Sequence, residues 1–191
     1  MSRLLNAFAL FLGILILENP NGARALSTPA PHATTAGGSH QLGALQGCVD
    51  QWVFNGVWRV RVTKVSSIAS PFGALPGYSA SLDVRNGSKS DAMLMQTGVS
   101  APVLALADGN ILELSTEDGV AWNNKFFENL PPSAGFTISL PYYMSTKPAS
   151  MPKPQKLIVE IDAKKAWHGQ PHYQVGDPSL RIDLNCGANS N

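Results

Sequence analysis

The fold is decided by residues 57–65, VWRVRVTKV, and residues 78–84, YSASLDV, in which apolar and polar side chains alternate. In the first segment Trp58, Val60 and Val62 alternate with arginine and threonine. A period of two places every second side chain on the same side of an extended chain, so each segment predicts a β-strand with one dry and one wet face. Such strands are typical of antiparallel sheets that cover a core on one side.

Three later segments have the same alternation, with an apolar residue at every second position. They are residues 135–140, 156–162 and 179–184. Asp108-Gly109 separates two short apolar runs and predicts a hairpin, because this dipeptide suits the tight turns that join antiparallel strands. Asn86-Gly87 predicts another turn, and we interpret the glycosylation pattern Asn86-Gly87-Ser88 as this turn. About seven to nine strands at this spacing predict an all-β fold of two stacked sheets.

Residues 117–130 have no clear period, and both a short helical turn and a crossover between the sheets fit them. The segment contains Trp122, Phe126 and Phe127. Large apolar rings are usually buried. We expect these three side chains to fill the edge of the core.

The N-terminal residues 1–25 have the pattern of a secretory signal peptide. Arg3 precedes an apolar run over residues 4–17, and Ala23-Arg24-Ala25 has the small-x-small form of a cleavage site. An uncleaved membrane anchor is the alternative, although a spanning helix needs about 20 apolar residues. We therefore expect a secreted or periplasmic protein with no stable membrane span after cleavage.

The rest of the chain divides by composition. Residues 26–47 are rich in Ser, Thr, Ala, Pro and Gly, which predicts a flexible spacer. Residues 48–187 carry the strand pattern and form the predicted sandwich domain, and residues 188–191 form a short tail.

Composition and charge exclude some classes of protein. The chain is 44% hydrophobic and 14% charged, which is too apolar for a disordered polyelectrolyte. With 14 Lys and Arg against 13 Asp and Glu, the net charge is +1, so a basic nucleic-acid-binding surface is not expected.

Cys48 and Cys186 are the two cysteines of the chain, and they bracket the patterned region. An isolated pair of cysteines usually oxidises outside the cytoplasm. No Cys-x-x-Cys spacing indicates a redox site. We therefore predict a structural disulfide that joins the first strand to the last.

Six blocks of this sequence carry a resemblance to a known group of proteins. They are WVFNGVWRVRVTKV (52–65), DVRNGS (83–88), LALADGN (104–110), LPPSAGFTISLPYY (130–143), LIVEID (157–162) and LRIDLNC (180–186). Together they resemble secreted bacterial immunoglobulin-like β-sandwich domains of unknown function. The resemblance implies an immunoglobulin-like antiparallel sandwich, and it brings no catalytic residues.

Common catalytic and cofactor motifs are absent from the sequence. We therefore assign no catalytic residue and no cofactor. Asp83 and Asp183 occupy wet strand positions, where cross-strand ion pairs with Arg59 and Arg61 are the expected arrangement.

The best candidate for a binding loop is residues 166–177, which gather Trp167, His168, His172 and Tyr173. Tryptophan and tyrosine suit a sugar or a partner surface. Two histidines four apart suit zinc or copper on a helix, but the intervening glycine and proline disfavour one. The alternative is that Trp167 caps the core and both histidines are solvated.

These observations favour an exported, non-enzymatic binding module whose partner is an envelope protein or polysaccharide. Two alternatives stay open. One is an exported protein that handles copper or zinc through His168 and His172, and the other is a hydrolase with an unrecognised site.

Overall fold

The computed structural model describes residues 43–71, 75–115 and 119–186. These residues form nine β-strands, one α-helix and two 3₁₀ helices. The predicted signal peptide and C-terminal tail lie outside the described residues, as does most of the predicted spacer. No helix in the described part of the chain is both long enough and apolar enough to cross a membrane.

The strands are numbered in chain order. They are β1 Leu45–Cys48, β2 Val53–Phe54, β3 Trp58–Ala69, β4 Pro76–Asn86, β5 Val103–Leu106, β6 Ile111–Leu112, β7 Gly135–Tyr143, β8 Pro154–Val159 and β9 Leu180–Asp183. The α-helix, α1, is Val120–Phe126, and the 3₁₀ helices are Met95–Thr97 and Ala163–Lys165. β1 begins ahead of Cys48, the predicted start of the domain.

The strands form two sheets. One sheet has the order β1-β9-β8-β5-β6, and the other has the order β2-β3-β4-β7. The predicted all-β sandwich is therefore confirmed, and the hairpin at Asp108-Gly109 joins β5 to β6. One pairing departs from the antiparallel prediction, because β1 runs parallel to β9. β1 forms one edge of the five-stranded sheet, where β9 is its neighbour.

The core lies between the dry faces of both sheets, at the positions that the alternation predicts. In the four-stranded sheet the buried residues include Trp58, Val62 and Leu82, and in the five-stranded sheet they include Leu157 and Ile182. Burying a side chain of this size stabilises the fold by roughly 1.5–3 kcal/mol. The opposite face of the four-stranded sheet stays in contact with water.

The predicted disulfide is confirmed. Cys48 at the end of β1 is bonded to Cys186 just after β9, and the two residues are 138 positions apart in the sequence. The bond therefore holds together the two ends of the folded domain.

The ambiguous segment forms α1, and only part of the packing prediction holds there. Trp122 is buried and Phe126 is half-buried against the core, but Phe127 is 58% exposed. Successive residues on a helix point about 100° apart, so both phenylalanines cannot face the same core. Phe127 instead meets the Phe126 ring edge-on, with 5.4 Å between the centroids.

Asn86 ends β4 and is fully buried. Its amide nitrogen donates to the carbonyl oxygens of Ser90 and Leu130, at 2.7 and 2.8 Å, and its oxygen accepts from the Ser88 N–H. The predicted turn is present, and the amide is used inside the fold rather than presented to solvent.

Candidate functional site

The loop 166–177 places its four candidate side chains in different environments. Tyr173 packs against the core, and its hydroxyl donates to the Thr97 carbonyl oxygen at 2.7 Å. Burial raises the pKa of the Tyr173 phenol to about 12. Tyr173 therefore contributes to packing and hydrogen bonding within the domain.

Trp167 is 54% exposed, so the interpretation that it caps the core is wrong. The loop is held by polar groups instead. The backbone N–H of Trp167 donates to the backbone carbonyl oxygen of Gln96 at 2.8 Å. The side-chain nitrogen of Gln170 donates to the side-chain oxygen of Gln96, also at 2.8 Å. These bonds fix the backbone without requiring the indole ring to be buried.

His168 and His172 are both exposed, and Gly169 between them has a φ of +83°. No group of three or more His, Cys, Asp or Glu side chains in the described ranges is arranged to hold a metal ion. The copper or zinc hypothesis stays a prediction that calorimetry on the histidine variants can test.

A more organised set of side chains lies on the wet face of the four-stranded sheet. We call it the arginine face, and it consists of Trp52, Phe54, Arg59, Arg61, Asp83 and Arg85. In the β3–β4 ladder, Arg59 lies opposite Arg85 and Arg61 lies opposite Asp83. Three of the four arginines in the described residues therefore share this one surface.

Each arginine on this face lies against an aromatic ring. The Arg61 guanidinium carbon is 4.8 Å from the centre of the Trp52 ring, and that of Arg85 is 5.3 Å from the same centre. The Arg59 guanidinium is 4.8 Å from the centre of the Phe54 ring. A ring under a guanidinium restrains its plane and leaves its N–H edge free to donate hydrogen bonds.

Asp83 is the one carboxylate of the arginine face, and it is already engaged. One of its oxygens accepts from Arg61 at 2.6 Å, and the other accepts from the Thr137 hydroxyl at 2.7 Å. The Thr137 hydrogen bond, and after it the Arg61 hydrogen bond, lower the pKa of the Asp83 carboxyl. Arg59 and Arg85 have no ion-pair partner among the described residues.

This pKa shift predicts an acid-dependent loss of stability. Because the folded state favours the charged carboxylate, its contribution is complete above the ordinary pKa of 3.8 and is lost as the pH falls below that value. We expect Asp83→Asn to be less stable than the wild type at neutral pH, with a difference that narrows in acid. Urea unfolding over a pH series measures the difference, and a gap that is constant with pH would contradict the prediction.

Two glycines make room for these side chains. A Cβ at Gly135 would collide first with the Val84 carbonyl oxygen and would also lie 2.6 Å from the Arg85 Cγ, and a Cβ at Gly87 would lie 2.6 Å from the Phe54 ring. Real Cβ atoms do not approach that closely. The arginine face therefore depends on bare backbone at both positions.

A shallow groove of ≈ 370 Å³ runs beside Arg85. Its lining is mostly polar and consists of Asp83, Arg85, Ser133, Gly135, Phe136 and Thr137. Ser133 has a φ of +67°, in the left-handed region that favours glycine. By contrast, a gap of ≈ 10 Å³ in the core, lined by apolar residues such as Trp58 and Trp122, is too small for a substrate.

Of the predicted cross-strand ion pairs, Arg61–Asp83 is confirmed. Asp183 was wrongly expected to pair with Arg59 or Arg61, because it lies on β9 in the other sheet. Trp52 and Phe54 were not predicted as functional residues. Their signal was the continued alternation around buried Val53, which places both rings on the wet side of the chain.

No protein-family model matches this chain, and no curated protein matches its sequence. Two solved structures are similar in fold. The secreted protein MPT63 from Mycobacterium tuberculosis has a TM-score of 0.44 at 12% identity, covering 73% of this chain and 97% of that one. An uncharacterised β-sandwich protein from Clostridium difficile 630 has a TM-score of 0.42 at 8% identity, covering 78% of this chain and 99% of that one.

The resemblance drawn from the sequence, to secreted sandwich domains without an assigned function, agrees with these two structures. At these identities and TM-scores the similarity carries no argument about a ligand or an activity. The function must be inferred from this chain's own residues.

Proposed function

We propose that this chain is an exported, non-enzymatic binding module that recognises an anionic ligand through the arginine face. One observation carries the proposal: Arg59 and Arg85 are exposed, lie against aromatic rings and form no ion pair with any described residue. The whole chain has a net charge of only +1, so this cluster does not follow from a generally basic composition.

The placement of Arg59 and Arg85 supports the proposal. They lie directly opposite each other on neighbouring strands, where like charges destabilise a sheet. A bound anion between the two guanidiniums removes that repulsion. The arrangement therefore lowers the stability of the free protein and raises its affinity for negative charge.

The chemistry of the ligand follows from the guanidinium group. Its planar fork of N–H donors matches the two oxygens of a carboxylate, and such charge-assisted bonds are roughly twice as strong as neutral ones. Because the rings hold each guanidinium in place, little side-chain entropy is lost on binding. We therefore propose a carboxylate-bearing ligand from the cell envelope.

Two features support export. Residues 1–25 have the pattern of a secretory signal peptide, and the disulfide between Cys48 and Cys186 fits an oxidising compartment. The location proposed for the domain is the periplasm or the exterior of the cell.

The test uses two immobilised polyanions, polygalacturonate and poly-L-glutamate, at low ionic strength, where exposed charges are least screened. We expect the double variant Arg59→Gln, Arg85→Gln to bind at least about tenfold more weakly than the wild type. This variant leaves the Arg61–Asp83 pair in place.

The matched control is Arg181→Gln, which removes one arginine from the other sheet, where it pairs with Glu160 at 3.5 Å. We expect its binding to stay close to that of the wild type. Thermal unfolding should show the double variant to be at least as stable as the wild type, because the repulsion across the β3–β4 ladder is gone. Equal binding by wild type and double variant, or no binding of either polyanion, would overturn the proposal.

A further inference from the structure

β7 forms the outer edge of the four-stranded sheet beside the arginine face, and α1 packs against this strand, with Lys125 Nζ 5.5 Å from the centre of the Phe136 ring. β7 is the last strand of that sheet and pairs only with β4. Two backbone hydrogen bonds mark the ends of the β4–β7 ladder. The backbone N–H of Asn86 donates to the Ala134 carbonyl oxygen, and the backbone N–H of Met144 donates to the Pro76 carbonyl oxygen. In an antiparallel ladder these bonds mark the even-numbered residues of β7 as the ones that bond to β4.

The odd-numbered residues Gly135, Thr137 and Ser139 therefore direct their N–H and C=O groups away from β4. All three are exposed, and their N–H groups have no hydrogen-bond partner among the described residues. Pro141, the next odd-numbered residue, has no N–H and ends the run of donors.

Among the described residues, β7 is longer than the other three outermost strands of the two sheets. β7 has nine residues, whereas the edge strands β2 and β6 have two each and β1 has four. Long unpaired edges are templates for the addition of another strand.

The charge beside this edge indicates what the added strand carries. Arg85 lies on β4 opposite Gly135, and a Cβ at Gly135 would lie 2.6 Å from the Arg85 Cγ, so the stem of Arg85 passes close to β7 while its guanidinium rests against Trp52. An added strand lies about 10 Å from β4, two strand spacings away, which arginine and glutamate side chains span together. Asp83, Ser133 and Thr137 line the groove beside Arg85, and the Asp83 carboxylate in it already accepts hydrogen bonds from Arg61 and Thr137.

We infer that the ligand of the arginine face is an acidic peptide segment, which adds in extended form to the edge of β7 and places its carboxylates in the groove toward Arg85. This inference rests on the proposed function and names the ligand class for it. A polyuronate offers carboxylates, but it has no alternating amide groups spaced to meet the donors of Gly135, Thr137 and Ser139.

The first test uses a synthetic peptide of alternating glutamate and valine with blocked ends, titrated into the disulfide-bonded domain by calorimetry. In an antiparallel addition the residues bonded to β7 place their side chains on the same face as Thr137, so these are the glutamates. We expect N-methylation of every glutamate to weaken binding at least about tenfold, while N-methylation of every valine leaves it nearly unchanged.

The two methylated peptides carry the same charge, so electrostatics alone cannot separate them. If only N-methylation of the valines weakened binding of the peptide, the strand would add in parallel, and this result would also support the inference. Equal affinities of the two peptides would overturn it, even if the Arg59→Gln, Arg85→Gln variant still loses binding to polygalacturonate. In that case the proposed function stands and strand addition is excluded.

The second test changes the protein. Ser139→Pro removes one outward N–H from β7, at a position where the backbone donates no bond to β4. Ser139→Ala is the matched control, because both variants lose the hydroxyl that lies 2.8 Å from that of Ser81. We expect only the proline variant to lose peptide affinity, with polygalacturonate binding equal in both.

Size-exclusion chromatography at the concentrations used distinguishes a second copy of the chain as the occupant. A dimer that Ser139→Pro dissociates and that the acidic peptide does not compete with would overturn the inference. A monomer that binds the unmethylated peptide with one-to-one stoichiometry supports it.

Discussion

Replacing both Cys48 and Cys186 by alanine is expected to lower the free energy of unfolding by about 4–5 kcal/mol. The bond joins residues 138 positions apart, so it restricts the unfolded chain over nearly the whole domain. Loop-closure entropy grows with the logarithm of loop length, which places this disulfide near the upper end of the range. Guanidinium unfolding of the oxidised wild type and the double variant measures the difference.

The reduced wild type serves as the control, because it keeps both sulfur atoms and loses only the bond. We expect its stability to match that of the double alanine variant. Hydrogen exchange should rise first in β1, a strand of four residues held at one edge of its sheet by the parallel pairing with β9. A loss below about 1 kcal/mol would contradict the prediction.

Asn55→Ala is expected to lower the free energy of unfolding by about 3–5 kcal/mol. The Asn55 side chain is fully buried in the turn between β2 and β3. Its oxygen accepts from the N–H groups of Val57 and Trp58 at 3.1 and 2.8 Å, and its nitrogen donates to the Pro178 carbonyl oxygen at 3.0 Å. Alanine leaves all three backbone groups without this partner, and a buried unsatisfied group costs about 1–3 kcal/mol.

The matched control is Asn129→Ala, which removes an asparagine whose side chain donates to Asp91 at the surface. Water replaces that bond, so a loss within about 0.5 kcal/mol is expected. Urea unfolding of both variants gives the comparison. Equal losses for Asn55 and Asn129 would show that burial of the amide is not what matters.

The turn at Asn55-Gly56 has a sequence signal of its own, separate from the alternation of the strands. Gly56 has a φ of +100°, and the dipeptide has the same Asn-Gly form as Asn86-Gly87. Asn-Gly between two apolar segments indicates a hairpin, so β2 could have been separated from β3 by sequence alone. Its two-residue length is too short for an alternation to be recognised.

The sequence by itself determined the features that depend on neighbouring residues. The alternation of apolar and polar residues determined which side chains of β3 and β4 are buried, because a period of two is a property of the extended backbone. The Asp108-Gly109 hairpin followed from local turn chemistry. The disulfide followed from there being only two cysteines in the chain.

The tertiary structure alone decided which solvent-exposed strand positions come together. A period of two assigns a residue to a face, but it does not say which strand lies beside it or at what register. The stacking of Arg85 on Trp52, the parallel pairing of β1 with β9 and the exposure of Trp167 all depend on contacts between distant parts of the chain. The arginine face exists because sheet order brings β2, β3 and β4 together, and that order is set by packing of the whole core.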